Sequence, residues 1–158
     1  MKLGIINKIE EVSGFNINSQ VFGLYGKNNA RQGYSQMLGA LTGSASMEGY
    51  LIHTKEHIIA ILIDDQESCC ESWGYLTSED NIQDFVGAEI LDIKIVDTVL
   101  NIKSLEDIGD LYEGGTMFVN IETAKGMFQI VAYNSHNGYY GHGVLLAIDN
   151  KVIASDVI

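Results

Sequence analysis

With 158 residues, 46% of them apolar, the chain can bury a core without staples and is too apolar to be disordered. Its net charge of −12 disfavours nucleic acid and favours basic proteins, whose association such a surface accelerates. The longest apolar run, Ile58 to Ile63, falls far short of the ~20 residues of a membrane-spanning helix. Lys8 comes too early for a signal-peptide core, so a cytoplasmic protein is expected.

Taken in chain order, the hydrophobic pattern has mostly period two, which predicts strands. Ile5-Ile6 and Val21 to Tyr25 are the early strand candidates. Gly26 to Gly49 is rich in glycine, serine, asparagine and glutamine and is expected to be a long loop or lid, with a short helix near Tyr34 to Leu38. Tyr50 to Thr54 and His57 to Ile63 flank Lys55-Glu56 as a hairpin, and the run of six apolar residues reads as a buried strand. The acidic loop Asp64 to Ser68 leads into Cys69-Cys70-Glu71.

Ser78-Glu79-Asp80 has the composition of a helix start, with Ser78 as cap and two acids at the positive end of the dipole. A short helix to about Val86, ended by Gly87, is the expectation. Ile90 to Asp97 alternates as a half-buried strand, and residues 101–115 read as a polar loop. Met117 to Ile121 and Met127 to Tyr133 follow as strands joined by a turn in which Gly126 takes the left-handed position. Asn137-Gly138 marks another turn. Gly143 to Ile148 and Lys151 to Ile153 close the chain as strands. The expected fold is α+β: a single domain, residues 1–158, mostly antiparallel sheet with one or two short helices.

The residues able to carry chemistry are few. Both cysteines, Cys69 and Cys70, are adjacent, so a disulfide between them would be strained and thiols or metal ligation are favoured. Thiolates and imidazoles suit zinc, and Cys69, Cys70, His53 and His136 are the expected structural ligand set, with His57 and His142 competing. Small buried thiols near Trp73 are the plainer alternative. Nucleophilic catalysis would need Cys70 with a histidine such as His136 or His142, but no nucleophile signature surrounds it. Phosphate-loop and dinucleotide motifs are absent. Lys27 and Arg31 are the clustered bases that a signalling-nucleotide sponge would need.

Four segments in fixed order carry a family resemblance: Cys69-Cys70-Glu71, Asp84 to Leu91, Thr123-Ala124-Lys125-Gly126, and Asn134 to Tyr140. Together they resemble a family of phage and bacterial proteins with the pattern Cys-Cys-Glu, Asp-Leu-Ile-Gly-x-x-Ile-Leu, Thr-x-Lys-Gly and Ser-Asn-Gly-Tyr-Tyr. These are compact α+β domains without an assigned activity. The resemblance covers roughly residues 48–148, leaving residues 1–47 as a family-variable segment; His136 is an insertion within its last motif.

The resemblance implies a mobile-element origin, where small acidic proteins inhibit host defences by binding. Cas9-type nucleases hold an RNA–DNA duplex in a positive channel, which an acidic protein can occupy. The expected function is therefore a phage-encoded, anti-CRISPR-type inhibitor of type II-A, acting in the host cytoplasm without turnover. Asp64, Asp65, Glu67 and Glu71 are its expected partner contacts.

Overall fold

The computed structural model describes residues 2–16, 46–65, 72–97, 100, 113–136, 142–149 and 151–158. Among them are β1 (Lys8–Asn16), β2 (Ser46–His53), β3 (Ile58–Asp64), β4 (Ser72–Thr77), β5 (Ile90–Val96), β6 (Glu113–Thr123), β7 (Gly126–His136), β8 (Gly143–Ile148) and β9 (Lys151–Val157). They form a five-stranded sheet in the order β1-β2-β3-β8-β9 and a four-stranded sheet in the order β4-β7-β6-β5. Every strand pairing within the two sheets is antiparallel.

The apolar periodicity explains how the sheets pack. Ile52, Ile59, Ile61, Ile63, Val144, Leu146 and Ile148 from the first sheet share one buried cluster with Val119, Ile121, Phe128, Ile130 and Ala132 from the second. These alternate positions make the inner faces of a sandwich. The intervening residues Ala60, Leu62, Leu145 and Ala147 join Met47 and Leu51 in a second buried cluster on the other face of the first sheet. Strands β3 and β8 are thus buried on both faces, which is why Ile58 to Ile63 is apolar without interruption.

Two glycines shape the sheets. Gly49 sits opposite Leu62 with φ +142, and a Cβ there would run into the carbonyl oxygen of Ile61. Only a residue without a side chain lets β2 and β3 approach there. Gly126 opens β7 at φ +125, in the positive-φ position that the sequence assigns to it. Thr123 tightens that turn: its Oγ1 donates to the Gly126 carbonyl at 2.7 Å and accepts from the Lys125 N–H at 3.1 Å.

The α+β expectation is corrected: the described fold is all-β. Its helical content is a single 3-10 turn, Ile82–Phe85. Ser78 does not cap a helix. It is buried, its N–H bonds the Gln129 carbonyl, and its Oγ accepts from the Gln129 N–H. The cap is Asn81, whose side chain accepts from the Gln83 N–H. Four residues before Gly87 are too few to offset the cost of helix nucleation. The Tyr34 to Leu38 helix and the Val21 to Tyr25 strand fall outside the described residues, as does the expected loop up to residue 45. Ser46 to Gly49, assigned to that loop from sequence, belong to β2. No described helix is long and apolar enough to cross a membrane.

Candidate interaction surface

Strands β1 and β4 are edges of different sheets and lie on the same flank, where the Tyr75 hydroxyl donates to Glu11 Oε1 at 2.6 Å. The Tyr75 ring meets Tyr50 of β2 edge to face, with centroids 5.3 Å apart. Burial and the carboxylate of Glu11 push the Tyr75 phenol far above its ordinary pKa, with Glu48 and Tyr50 adding to the effect. Burial, then Glu11, raises Tyr50 as well. Two neutral phenols therefore stand against Glu11 and Glu48.

Carboxylates continue along this flank. The 3-10 turn docks on β1 through Gln83 Nε2, which donates to the Ile9 carbonyl at 3.0 Å. Glu79 and Asp80, just before this turn, and Asp84 within it are exposed. Two described cations, Lys8 and Lys125, are engaged within the chain. Lys8 pairs with Glu10 at 2.8 Å, and its hydrogen bond holds the Glu10 carboxyl below the usual range. Lys125 Nζ donates to the carbonyls of Asp84 and Val86. Further off, Lys2 pairs with Glu89 and Lys94 with Asp92. The flank presents acid and aromatic surface, chemistry that suits lysine and arginine side chains.

A second polar cluster lies at one end of the sandwich. The Trp73 indole stacks on the His142 imidazole, with centroids 4.6 Å apart and 27° between planes. His142 is buried, and its Nδ1 lies 2.7 Å from the Asp64 carbonyl oxygen. Because a carbonyl only accepts, Nδ1 carries the proton. Asn134, opposite Trp73 in the β4–β7 ladder, donates to the Ile158 carbonyl at 2.9 Å. Asp65, next to Asp64, accepts from Ser46 Oγ at 2.6 Å. Both segments that carry the resemblance most sharply are bordered by this end: β3 ends at Asp64 and β4 starts at Ser72, while β7 ends at His136 and β8 starts at Gly143.

The residues expected from sequence separate into groups. Cys69, Cys70, Glu67 and Glu71 lie outside the described residues, as do Lys27, Arg31, Tyr139 and Tyr140. His136 is the last residue of β7, at the Trp73–His142 end. His53 is at the opposite end. Met47 faces Asp64 and His53 faces Ile58, so six residues of strand, about 20 Å, separate His53 from the Asp64 level. Its Nε2 lies 3.2 Å from Glu10 Oε2. Of the expected zinc set, His53 thus stands at the end opposite the strand end that carries His136, and Cys69 and Cys70 lie outside the described residues. Among the described residues, no three histidine, cysteine or acidic side chains form a group able to hold a metal ion.

The partner contacts also change. Asp64 is 1% exposed, so it cannot present its carboxylate to another protein. Asp65 is half-buried and bonded to Ser46. The acid–tyrosine flank was missed because its members come from distant segments: Glu11, Glu48, Tyr50, Tyr75 and Glu79 carry no local pattern. The signal that could have found it is Glu10-Glu11 inside an otherwise alternating segment.

The family model described as Domain of unknown function (DUF7448) matches residues 5–146. Nothing among curated proteins or solved structures matches the chain. The family match takes in β1 as well as the segments that carry the resemblance. The chain belongs to the DUF7448 family.

Proposed function

We propose that this protein works by binding a basic protein, and specifically that it is a phage- or mobile-element-encoded inhibitor that occupies the nucleic-acid channel of a Cas9-type nuclease. The observation that carries the first part is the acid–tyrosine flank, where Tyr75 meets Glu11 and is influenced by Glu48, and where the turn docked on β1 has Glu79, Asp80 and Asp84 exposed in or just before it, while Lys8 and Lys125 are bound to groups of this chain. A net charge of −12 supports long-range attraction to such a partner. The choice of a Cas9-type target rests on the sequence resemblance and on the positive channel that these nucleases use for their duplex. No turnover is part of this reading.

The test is binding of the full chain to a purified Cas9-type nuclease, with and without guide RNA, at several salt concentrations. Binding that weakens steeply with salt and competes with target DNA supports the proposal. Charge reversal at Glu79 and Asp80, both exposed, should then slow association about tenfold or more. Binding that is insensitive to these reversals would move the interface off this flank. Absence of binding to nucleases with and without guide would remove the Cas9-type reading.

A further inference from the structure

We propose that the outer edge of β5, beyond which no described strand lies, pairs antiparallel with β5 of a second copy of this chain, about a two-fold axis through Ile93. Strand β5 is the last of the four-stranded sheet. Upstream, the chain covers that edge itself: the Ile6 N–H bonds Ala88, Gly87 bonds Ile6, and the Ile90 N–H bonds the Gly4 carbonyl. From Leu91 to Val96, no described strand lies outside β5.

The backbone shows which groups face outward. The Ile93 N–H is bonded by the carboxylate of its neighbour, Asp92 Oδ1, at 2.9 Å, although Ile93 sits opposite Ile121 in the ladder. Its N–H and C=O therefore point away from β6, as those of Ile95 do by the period of the strand. A second β5 centred on Ile93 would exchange both bonds there. The Asp92 carboxylate acts as a removable cap on this edge, a usual defence against strand addition.

Side chains around that centre are self-complementary. With Ile93 on the axis, Asp92 faces Lys94 of the second copy and Lys94 faces its Asp92, so both charges find opposite partners. Within one chain Lys94 and Asp92 already meet at 2.7 Å on the exposed surface; pairing exchanges the one contact in each copy for two across the axis. Leu91 faces Ile95 of the second copy. These two side chains are 56% and 44% exposed, and the pairing would cover both. Moving the two-fold axis by one residue, a register shift of two, would set Lys94 against Lys94 or Asp92 against Asp92 and is disfavoured. The interface is one strand wide, so association is reversible.

The experiment is sedimentation velocity on the full chain across a wide concentration range, with four forms: the native chain, Asp92→Lys, Lys94→Asp, and the double swap. Each single reversal sets like charges opposite one another twice and should weaken dimerisation about tenfold. The double swap restores complementarity and should dimerise like the native chain. An equimolar mixture of the two single variants should also dimerise, which a misfolded variant would not do. A native chain that stays monomeric throughout overturns the proposal. So does a dimer unaffected by the single reversals, or one that neither the swap nor the mixture restores.

Discussion

The Trp73 indole and the His142 imidazole stack across the two sheets, 4.6 Å between ring centroids. The histidine is fixed from its other side by the Asp64 carbonyl, 2.7 Å from Nδ1. Its backbone exchanges two hydrogen bonds with Ile158. One residue thus ties the start of β8 to the end of β3, to β4, and to residue 158. Replacing His142 with alanine leaves a buried carbonyl without this donor and a void under the indole. A loss of about 1–3 kcal/mol is expected. Urea unfolding will measure it, and the emission of the single tryptophan should shift in the native baseline.

Gly49→Ala should cost roughly 2–4 kcal/mol, because the new Cβ meets the Ile61 carbonyl oxygen and φ is +142. Gly14→Ala is the control. Gly14 has φ +61 with open space around it, so only the backbone cost of about 1 kcal/mol remains. Equal effects at both positions would show that the close approach of β2 and β3 has no energetic weight.

Asp149 holds two turns together. Its Oδ1 accepts from the Ile58 N–H at 2.9 Å, and its Oδ2 from His57 Nδ1 at 2.7 Å, while its own φ is +53. Asp149→Ala removes both bonds and should destabilise by about 1–3 kcal/mol. Asp149→Asn keeps one acceptor and tolerates the left-handed conformation, so its cost should be smaller. Thermal melts of the pair will rank them.

Stability should fall at both ends of the pH scale for different reasons. The Lys8 hydrogen bond depresses the folded pKa of Glu10; its contribution is present above the unfolded carboxylate value of about 4.3 and is lost as pH falls through the folded value. Lys8→Ala should flatten stability on that acid side. Burial and Glu11 raise the folded pKa of Tyr75. Its contribution is complete below the unfolded value of about 10 and is lost as pH rises toward the folded value. Tyr75→Phe should reduce the alkaline loss, and an ultraviolet titration should show one fewer displaced tyrosine.

Strands that bury one face or both were legible in the sequence from their apolar residues. β3, β5, β7 and β8 coincide with apolar runs, and the Thr123 to Gly126 turn announced its glycine. β1 and β4 were not legible. β1 carries Lys8, Glu10, Glu11, Ser13 and Gly14 on an edge, and β4 is six residues with a glycine. Edge strands bury little, so their composition is set by solvent as much as by pairing. The Ser78 to Val86 segment misled for the opposite reason: its residues favour a helix start, but Ser78 is taken by the β7 backbone.

By itself, the sequence determined the period-two pattern, the doubly buried centre of the first sheet and the acidic charge, because each depends on residue type and neighbours along the chain. Only the tertiary structure decided that Asp64 is buried, that His53 and His136 occupy opposite ends, and that Glu11 meets Tyr75. These depend on strand order and register. Register is fixed by the sum of many weak contacts between segments far apart in sequence, which no short motif records.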